Sequence, residues 1–179
     1  MRKVILYISM SLDGFIATED DDLSWLSKVE KPGEDYGYGA FTANIDTYIV
    51  GRKTYDKVVE MVGTFPQAND YDCYIITRQE IPNTENLTFY NGDIVELIQQ
   101  IREREGKHIY CDGGGQIVKL LMDNDLIDEY IVSIIPVILG SGKRLFIGNT
   151  PSREIKLISE KRFETGLVQV AYARNREGE

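Results

Sequence analysis

The sequence predicts an α/β domain with a mostly parallel central sheet, helices on both faces and an antiparallel edge at its C-terminal end. Short runs rich in β-branched and aromatic residues alternate with segments whose apolar residues recur at helical spacing. This alternation is typical of parallel βαβ units. The last two apolar runs, residues 154–160 and 167–173, follow one another without a helix between them. They therefore predict an antiparallel hairpin at the edge of the sheet.

The first half of the chain begins with a strand over Val4–Ser11, where Val, Ile, Leu and Tyr predominate. A surface loop over residues 12–22 follows, and its acidic run at 19–22 predicts a solvated segment. Trp25 is expected to pack this loop, or an early helix, onto the body of the domain. The pattern then predicts a helix over 35–44, a strand over 47–50, a helix over 52–61 and a strand over 74–77.

The second half continues with a strand over 87–90 and a helix that begins after Asp93. Asp is a preferred N-cap residue, and the apolar positions after it recur at helical spacing. A strand over 108–111 runs into three glycines, and a further helix is predicted directly after them. Residues 129–137 form a long apolar strand.

Composition restricts the classes of function. A chain of 179 residues with 42% hydrophobic content predicts one domain, over residues 1–179, with a proper core. The net charge of −9 argues against nucleic acid as the main partner, and no apolar run is long enough to cross a bilayer. Cys73 and Cys111 lie in apolar runs and His108 is the single histidine, so we expect no metal site and a cytoplasmic protein.

A first strand-to-helix junction is suited to binding a phosphate. Gly51 ends a strand, and the helix that follows opens with Arg52, Lys53 and Thr54. The first N–H groups of a helix have no partner within it, and they favour an anion. The two cations and the hydroxyl strengthen this interpretation. The alternative is an ordinary helix start with a solvated basic pair.

Two further junctions support a bound pyrophosphate. Gly113, Gly114 and Gly115 precede a helix that opens at Gln116, and consecutive glycines suggest a close approach to the main chain. A flexible turn is the alternative here. Thr77 and Arg78 follow another strand, at the sheet edge where ligands bind in open α/β folds. An ordinary surface arginine is the alternative at that position.

Four ordered motifs resemble a known family over nearly the whole chain. They resemble the C-terminal reductase domain of the bifunctional riboflavin-biosynthesis deaminase/reductase and, more distantly, dihydrofolate reductase. The resemblance implies a dihydrofolate reductase-like fold. The motifs are Ser11-Leu12-Asp13-Gly14-Phe15-Ile16-Ala17, Gly51-Arg52-Lys53-Thr54-Tyr55, Asp112-Gly113-Gly114-Gly115 and Pro136-Val137-Ile138-Leu139-Gly140-Ser141-Gly142.

The resemblance implies that NADPH is the cofactor. Ile16 and Ala17 match the positions that contact the nicotinamide ring, with Ser9 beneath it. Arg52 matches the arginine on the 2′-phosphate, which Thr77 and Arg78 also face. Further positions imply contacts with the pyrophosphate: the hydroxyl of Thr54, and the loop of Gly113, Gly114, Gly115, Gln116 and Ile117. A cis peptide bond between Gly113 and Gly114 is implied as well.

The implied reaction is hydride transfer to 5-amino-6-(5-phosphoribosylamino)uracil or a related pyrimidine or pterin, in a stand-alone reductase that forms a homodimer through its late strands. Asp13 is a candidate acid or substrate ligand, and the alternative is a turn-forming residue before Gly14. Two other functions stay open. One is an NADP(H)-binding sensor without turnover. The other is a dihydrofolate reductase, for which Glu30, Glu34 and Asp35 match the expected carboxylate only approximately.

Overall fold

The computed structural model describes residues 1–175 of the predicted domain 1–179, and residues 176–179 lie outside the described residues. Its helices are α1 (Tyr38–Thr42), α2 (Arg52–Val62), α3 (Ile94–Glu103) and α4 (Gly115–Asp123), with 3₁₀ helices at Ser24–Val29 and Pro66–Asn69. Its strands are β1 (Val4–Ser11), β2 (Phe15–Ala17), β3 (Ile45–Gly51), β4 (Asp72–Ile76), β5 (Leu87–Tyr90), β6 (His108–Gly113), β7 (Glu129–Ile135), β8 (Lys143–Arg144), β9 (Ile155–Arg162) and β10 (Val168–Arg174).

Eight of these strands form one sheet in the order β5-β4-β3-β6-β1-β7-β10-β9. The six strands from β5 to β7 run parallel to one another. The strand β10 is antiparallel to both β7 and β9. The predicted parallel sheet with an antiparallel C-terminal edge is therefore confirmed.

The two faces of the sheet carry separate cores. One face packs against α3 and α4 through Leu97, Ile98, Val118 and Leu121. On the other face, side chains of α1 and α2 cover an aromatic cluster built around Tyr48. Strands that are covered on both sides must be apolar on both sides, which explains the apolar runs Val4–Ile8 in β1 and Tyr48–Val50 in β3.

The helix α3 begins where the sequence predicts. Asp93 is its N-cap, and its carboxylate accepts hydrogen bonds from the backbone N–H groups of Val95 at 2.6 Å and Glu96 at 3.1 Å. These bonds satisfy two of the donors that a helix start leaves open.

Several predicted boundaries were wrong by a few residues. The helix predicted over 35–44 covers only Tyr38–Thr42, because Asp35 accepts hydrogen bonds from the N–H groups of Gly37 and Gly39 and ends the preceding turn. Thr77 lies just beyond β4 rather than inside it. Part of the predicted loop over 12–22 is a strand, since β2 pairs with β8 in a short antiparallel ribbon.

A buried arginine anchors the amino-terminal end of the sheet. Arg2 is 7% exposed, and its guanidinium donates to the carbonyl oxygens of Lys107 and Ile101 at 2.7 and 3.2 Å. It also donates to the Thr47 hydroxyl at 2.6 Å and to the Asp46 carboxylate. The start of the chain is thereby joined to β3 and to the end of α3.

Within residues 1–175, none of the helices has the length and apolar character that a bilayer span requires.

Candidate active site

The carboxyl ends of β1, β6, β3 and β4 lie side by side, and the predicted site residues follow them. Val50 in β3 pairs with Gly113 in β6, and Gly51 pairs with Ile76 in β4. The three strand-to-helix or strand-to-turn junctions therefore open at the same edge of the sheet. Ligands of open α/β folds bind at this edge.

The glycine loop is held in a compact shape. The Gly113–Gly114 peptide bond is cis, as predicted, and Gly113 has a φ of +95°. A Cβ at Gly51 would lie 2.8 Å from Cγ1 of Ile117, and one at Gly115 would lie 2.5 Å from the carbonyl oxygen of Arg144. At these two positions glycine is required by packing within the protein. Ile117 is buried and lies against Gly51.

Gly114 is the point where three predicted parts of the site meet. A Cβ built on it would lie 3.7 Å from Cδ1 of Ile16 and 3.7 Å from the hydroxyl oxygen of Thr54. These two residues come from β2 and from the first turn of α2. The structure therefore brings together the predicted nicotinamide loop, the glycine loop and the start of α2 around one small residue.

Arg52 carries an unused hydrogen-bond donor. Its Nε donates to the carboxylate of Asp56 at 2.6 Å, one turn along α2, and its guanidinium carbon lies 5.8 Å from the centre of the Phe89 ring. Its Nη1 is buried and has no hydrogen-bond partner in the described part of the chain. A buried donor without a partner costs free energy, and an anion would satisfy it.

The other predicted cofactor residues range from exposed to buried, and one of them caps a turn. The hydroxyl of Thr77 accepts a hydrogen bond from the N–H of Gln79 at 3.1 Å, so it caps a turn. Arg78, Lys53 and Gln116 are exposed, Ser9 is partly buried in β1, and Ala17 is buried at the end of β2. The roles of these residues toward a cofactor stay predictions.

The carboxylate of Asp13 is engaged by its own turn and by the loop at residues 139 and 140. It accepts hydrogen bonds from the Ser11 hydroxyl at 2.6 Å and from the backbone N–H groups of Leu139 and Gly140 at 3.1 and 2.7 Å. The hydrogen bond from Ser11, with those two backbone donors, holds the pKa of Asp13 at about 2. An acid of that strength is ionised near neutral pH and has no proton to donate. This geometry favours the turn-forming alternative.

A second carboxylate, Asp112, was missed by the sequence analysis as a functional candidate. It is the penultimate residue of β6, and its carboxylate accepts a hydrogen bond from the Tyr110 hydroxyl at 2.8 Å. Burial raises the pKa of Asp112 above its ordinary value, although hydrogen bonds from Tyr48 and Tyr110 oppose the shift. A carboxyl group with a raised pKa at a strand end is suited to proton transfer.

The sequence does contain a signal for Asp112. Residues two apart on a strand share a face, so Asp112 lies on the same side of the sheet as Tyr110, which is 4% exposed. A carboxylate in register with a buried tyrosine points toward the aromatic core rather than toward solvent.

No group of three or more His, Cys, Asp or Glu side chains that could hold a metal ion occurs within residues 1–175.

The sheet order and the strand-end site define a dihydrofolate reductase-like domain. The model of the RibD C-terminal domain matches residues 2–169, and the chain belongs to this family. The resemblance seen in the sequence motifs is thereby confirmed. Membership of this family supports a reductase of the riboflavin-biosynthesis type.

Related proteins match over almost their whole length. The chain is 38% identical over 174 residues to the uncharacterized protein YwjB of Bacillus subtilis, covering 97% of this chain and 98% of that protein. It is 29% identical to YyaP of the same organism, covering 96% and 94% of the two chains.

Solved structures show the same fold. A protein from Shewanella sp. PV-4 whose name refers to riboflavin biosynthesis superposes with a TM-score of 0.88 at 27% identity, covering 97% of this chain and 99% of that one. A diaminohydroxyphosphoribosylaminopyrimidine deaminase/5-amino-6-(5-phosphoribosylamino)uracil reductase from Thermotoga maritima superposes with a TM-score of 0.74 at 15% identity. That match covers 97% of this chain and 57% of the Thermotoga protein, and it shows the fold alone.

Proposed function

We propose that this protein is an NADPH-dependent reductase that transfers hydride to a small nitrogen heterocycle of the pyrimidine or pterin type. The observation that carries the proposal is the meeting of Ile16, Thr54 and Gly114 at one strand edge, together with the unpaired Nη1 of Arg52 in the same first turn of α2 as Thr54. Three separate chain segments surround this point, and one of them presents an unsatisfied cationic donor. A doubly phosphorylated dinucleotide satisfies such a donor set.

Each part of the site has a proposed task toward the cofactor. The start of α4, after Gly113 and Gly114, would hold the pyrophosphate together with the Thr54 hydroxyl. Arg52, with Thr77 and Arg78 at the neighbouring strand end, would hold the 2′-phosphate, which favours NADPH over NADH. The residues that would position the nicotinamide are Ser9, Ile16 and Ala17, and those that would complete the phosphate loop are Gly51, Lys53, Gly115, Gln116 and Ile117. NADPH, when bound, supplies the hydride.

The proton that accompanies the hydride is assigned to Asp112. Its raised pKa keeps a larger fraction of the carboxyl group protonated than an exposed aspartate would show. Tyr110 and Tyr48 orient it by hydrogen bonds. Asp13 is assigned to positioning, because its carboxylate ties the loop before β2 to residues 139 and 140.

Dihydrofolate reduction is less well supported by the carboxylates of the segment after Trp25. Asp35 accepts hydrogen bonds from Gly37 and Gly39, and Glu34 accepts one from the N–H of Tyr36 at 3.0 Å. These contacts use the two side chains to shape their own turn. We therefore keep pyrimidines and pterins without the folate tail as the first substrates to test.

We also propose a homodimer and a cytoplasmic location. The edge strand β9 exposes Ile155, Leu157 and Ile158 to 43%, 49% and 53%, and a second copy of the chain would cover them. Light scattering of the purified protein tests this, and a Leu157→Lys variant is expected to yield a monomer. The buried thiols of Cys73 and Cys111 are free, as in a reducing compartment.

The function is tested in two steps with the purified protein. Isothermal titration calorimetry with NADPH and NADH measures cofactor binding, and we expect the dissociation constant for NADPH to be the lower one. NADPH oxidation at 340 nm is then followed with a panel of aminopyrimidines and pterins. Absence of heat with NADPH would overturn the proposal. Saturable NADPH binding without oxidation by any substrate would favour the sensor without turnover.

A further inference from the structure

The aromatic side chains around Asp112 reach the protein surface at Tyr38, the first residue of α1. The hydroxyl of Tyr110 donates to Asp112 at 2.8 Å, and the ring centres of Tyr110 and Tyr7 are 6.2 Å apart. The ring of Tyr38 stands edge-on to the ring of Tyr7, with 5.7 Å between the two centres. Tyr38 is 40% exposed, whereas Tyr7 and Tyr110 are buried. Tyr38 is therefore the member of this group that is open to a ligand.

Tyr38 also lies within reach of the charge of Asp112. Burial raises the pKa of Tyr38 to about 12, and the phenol of Tyr71 and the carboxylate of Asp112 add to the shift. The phenol is therefore protonated near neutral pH, where it acts as a hydrogen-bond donor. Asp112 directly precedes Gly113 and Gly114 in the chain. Tyr38 is thus next to the strand end at which we place the reaction.

The hydroxyl of Tyr38 differs from those of its neighbours in its hydrogen bonds. The hydroxyl of Tyr7 donates to a carbonyl oxygen of the chain at 3.2 Å, and that of Tyr110 donates to Asp112. The hydroxyl of Tyr48 is hydrogen-bonded to the same carboxylate. Among residues 1–175, the hydroxyl of Tyr38 has no hydrogen-bond partner. Its donor is therefore available to a ligand.

The backbone around Tyr38 is fixed to the sheet and to its own turn. The side-chain amide of Gln169 in β10 donates to the carbonyl oxygen of Tyr36 at 3.2 Å. The N–H of Tyr38 donates to the carbonyl oxygen of Asp35 at 2.9 Å, and the Asp35 carboxylate caps the same turn. A binding group that is already held in place loses little conformational freedom when a ligand arrives. The position of Tyr38 is therefore suited to binding.

The proposed nicotinamide position lies on the same face of the sheet as Tyr38. Residues two apart on a strand share a face, so Ser9, which we place beneath the nicotinamide, lies on the same face of β1 as Tyr7. Ser9 pairs with Ser133 of β7. The side-chain amide of Gln169 donates to the hydroxyls of both Ser133 and Tyr7 at 3.1 Å, so these side chains share that face as well. A substrate held between Tyr38 and the nicotinamide would therefore lie beside the proposed proton donor.

Resting on the proposed function, we propose that Tyr38 binds the substrate, and that its hydroxyl donates a hydrogen bond to a ring nitrogen or a carbonyl oxygen of a planar heterocycle. The free donor of Tyr38 requires an acceptor, and its exposed ring favours a flat partner, since aromatic rings attract one another in stacked and edge-to-face arrangements. A pyrimidine or a pterin supplies both the acceptor and the flat ring.

Two probes of this class, 5,6-diaminouracil and pterin, test the inference. Calorimetry would measure their dissociation constants with and without NADPH. The variant Tyr38→Phe keeps the ring and removes the hydroxyl, and it should raise the dissociation constant of the probe that binds by about three- to tenfold. The variant Tyr38→Leu also removes the aromatic ring, so it should weaken binding further. The dissociation constant for NADPH should be the same in both variants as in the wild type.

The matched control is Tyr172→Phe, which removes a phenol hydroxyl on the opposite face of the sheet. Tyr172 is partly buried against the core at α3 and α4, and within residues 1–175 its hydroxyl has no hydrogen-bond partner either. This variant should bind both probes as the wild type does.

Three results would overturn the inference about Tyr38. They are wild-type affinity of the Tyr38→Phe variant, equal losses in this variant and in the control, and binding of neither probe by the wild type. A loss for NADPH as large as the loss for the probe would also overturn it, because it would indicate a general disturbance of the site. The titrations do not depend on turnover. The wild-type titration with NADPH alone reports separately on the proposed function.

Discussion

Two arginines at opposite ends of the central sheet differ in how completely the protein satisfies their hydrogen-bond donors. At the amino-terminal end, Arg2 is buried and donates to four acceptors from three other parts of the chain. At the carboxyl-terminal end, Arg52 keeps a buried Nη1 without a partner within the described residues, and Asp112 has a raised pKa. The protein supplies partners for each guanidinium nitrogen of Arg2 but leaves one nitrogen of Arg52 unpaired within the described residues.

This difference separates stability from function. A buried charge whose partners are all supplied by the protein holds elements together, and removing it leaves those partners unsatisfied. A buried charge without a full set of partners costs stability in the free protein and becomes useful when a ligand arrives. Substitutions at the two ends should therefore affect different measurements.

The largest expected effect is on turnover, at Asp112. The variant Asp112→Asn keeps the shape of the side chain and removes its proton, so kcat should fall by about 10²- to 10⁴-fold. The dissociation constant for NADPH should stay nearly the same. The control is Asp72→Asn, an exposed aspartate at the amino-terminal end of β4, which should retain wild-type kcat. Equal kcat values for the two variants would remove Asp112 from the mechanism.

Asp112 also predicts a dependence on pH. Its pKa is raised in the folded protein, so the folded state binds the proton more tightly than the unfolded state does. The stability of the wild-type protein should therefore fall as the pH rises from the ordinary carboxylate value through the raised one. The Asn variant lacks this loss. Thermal unfolding across that pH range should show the Tm of the Asn variant rising relative to the Tm of the wild type as the pH rises.

The next effect is on the free energy of unfolding, at Arg2. The variant Arg2→Met leaves Asp46 and Thr47 without their buried donor, and it should lower the free energy of unfolding by about 3–5 kcal/mol. Urea denaturation measures this change. The control is Lys3→Met, since Lys3 is half exposed where it pairs with Glu129, and such a pair contributes about 0–1 kcal/mol. NADPH affinity per folded molecule should be unchanged in both variants.

The sequence predicted the carboxyl end of the sheet, where we propose the ligand site, better than it predicted the other end. Glycine runs and helix starts are local signals, so the loop at Gly113 to Gly115, its cis bond and the start of α4 could be found from neighbouring residues. Arg2 was not predicted to have a structural role. Its four acceptors lie 44 to 105 positions away in the chain, and no local pattern reports such contacts.

The same reason explains the short ribbon that the sequence analysis did not predict. β2 and β8 have three and two residues, and they exist because Phe15 meets Arg144 across the fold. Such pairings depend on tertiary packing rather than on composition. Asp112 was not predicted for a different reason. It precedes three glycines, and that stretch was interpreted as a backbone binding loop rather than as the site of a functional side chain.

A smaller effect is expected on cofactor selectivity, at Arg52. The variant Arg52→Ala should raise the dissociation constant for NADPH by about 10- to 100-fold, since a hydrogen bond to a charged group contributes about 1.5–3 kcal/mol. Binding of NADH, which has no 2′-phosphate, should change little. The control is Lys57→Ala on the same helix, where the lysine is paired with Glu60. Equal losses for NADPH and NADH would refute the 2′-phosphate assignment.

The smallest effect is expected at Asp13, and it distinguishes a positioning residue from an acid. Because its pKa is lowered to about 2 in the folded protein, its ionised form adds stability above the ordinary carboxylate pKa, and this is lost as the pH falls toward 2. The variant Asp13→Asn should therefore lower Tm near neutral pH by less than Arg2→Met does, and the deficit should shrink in acid. Its kcat should retain the wild-type pH profile, because Asp112 is the proposed proton donor. A kcat as low as that of Asp112→Asn would instead place Asp13 in the chemical step and leave no difference between the two carboxylates.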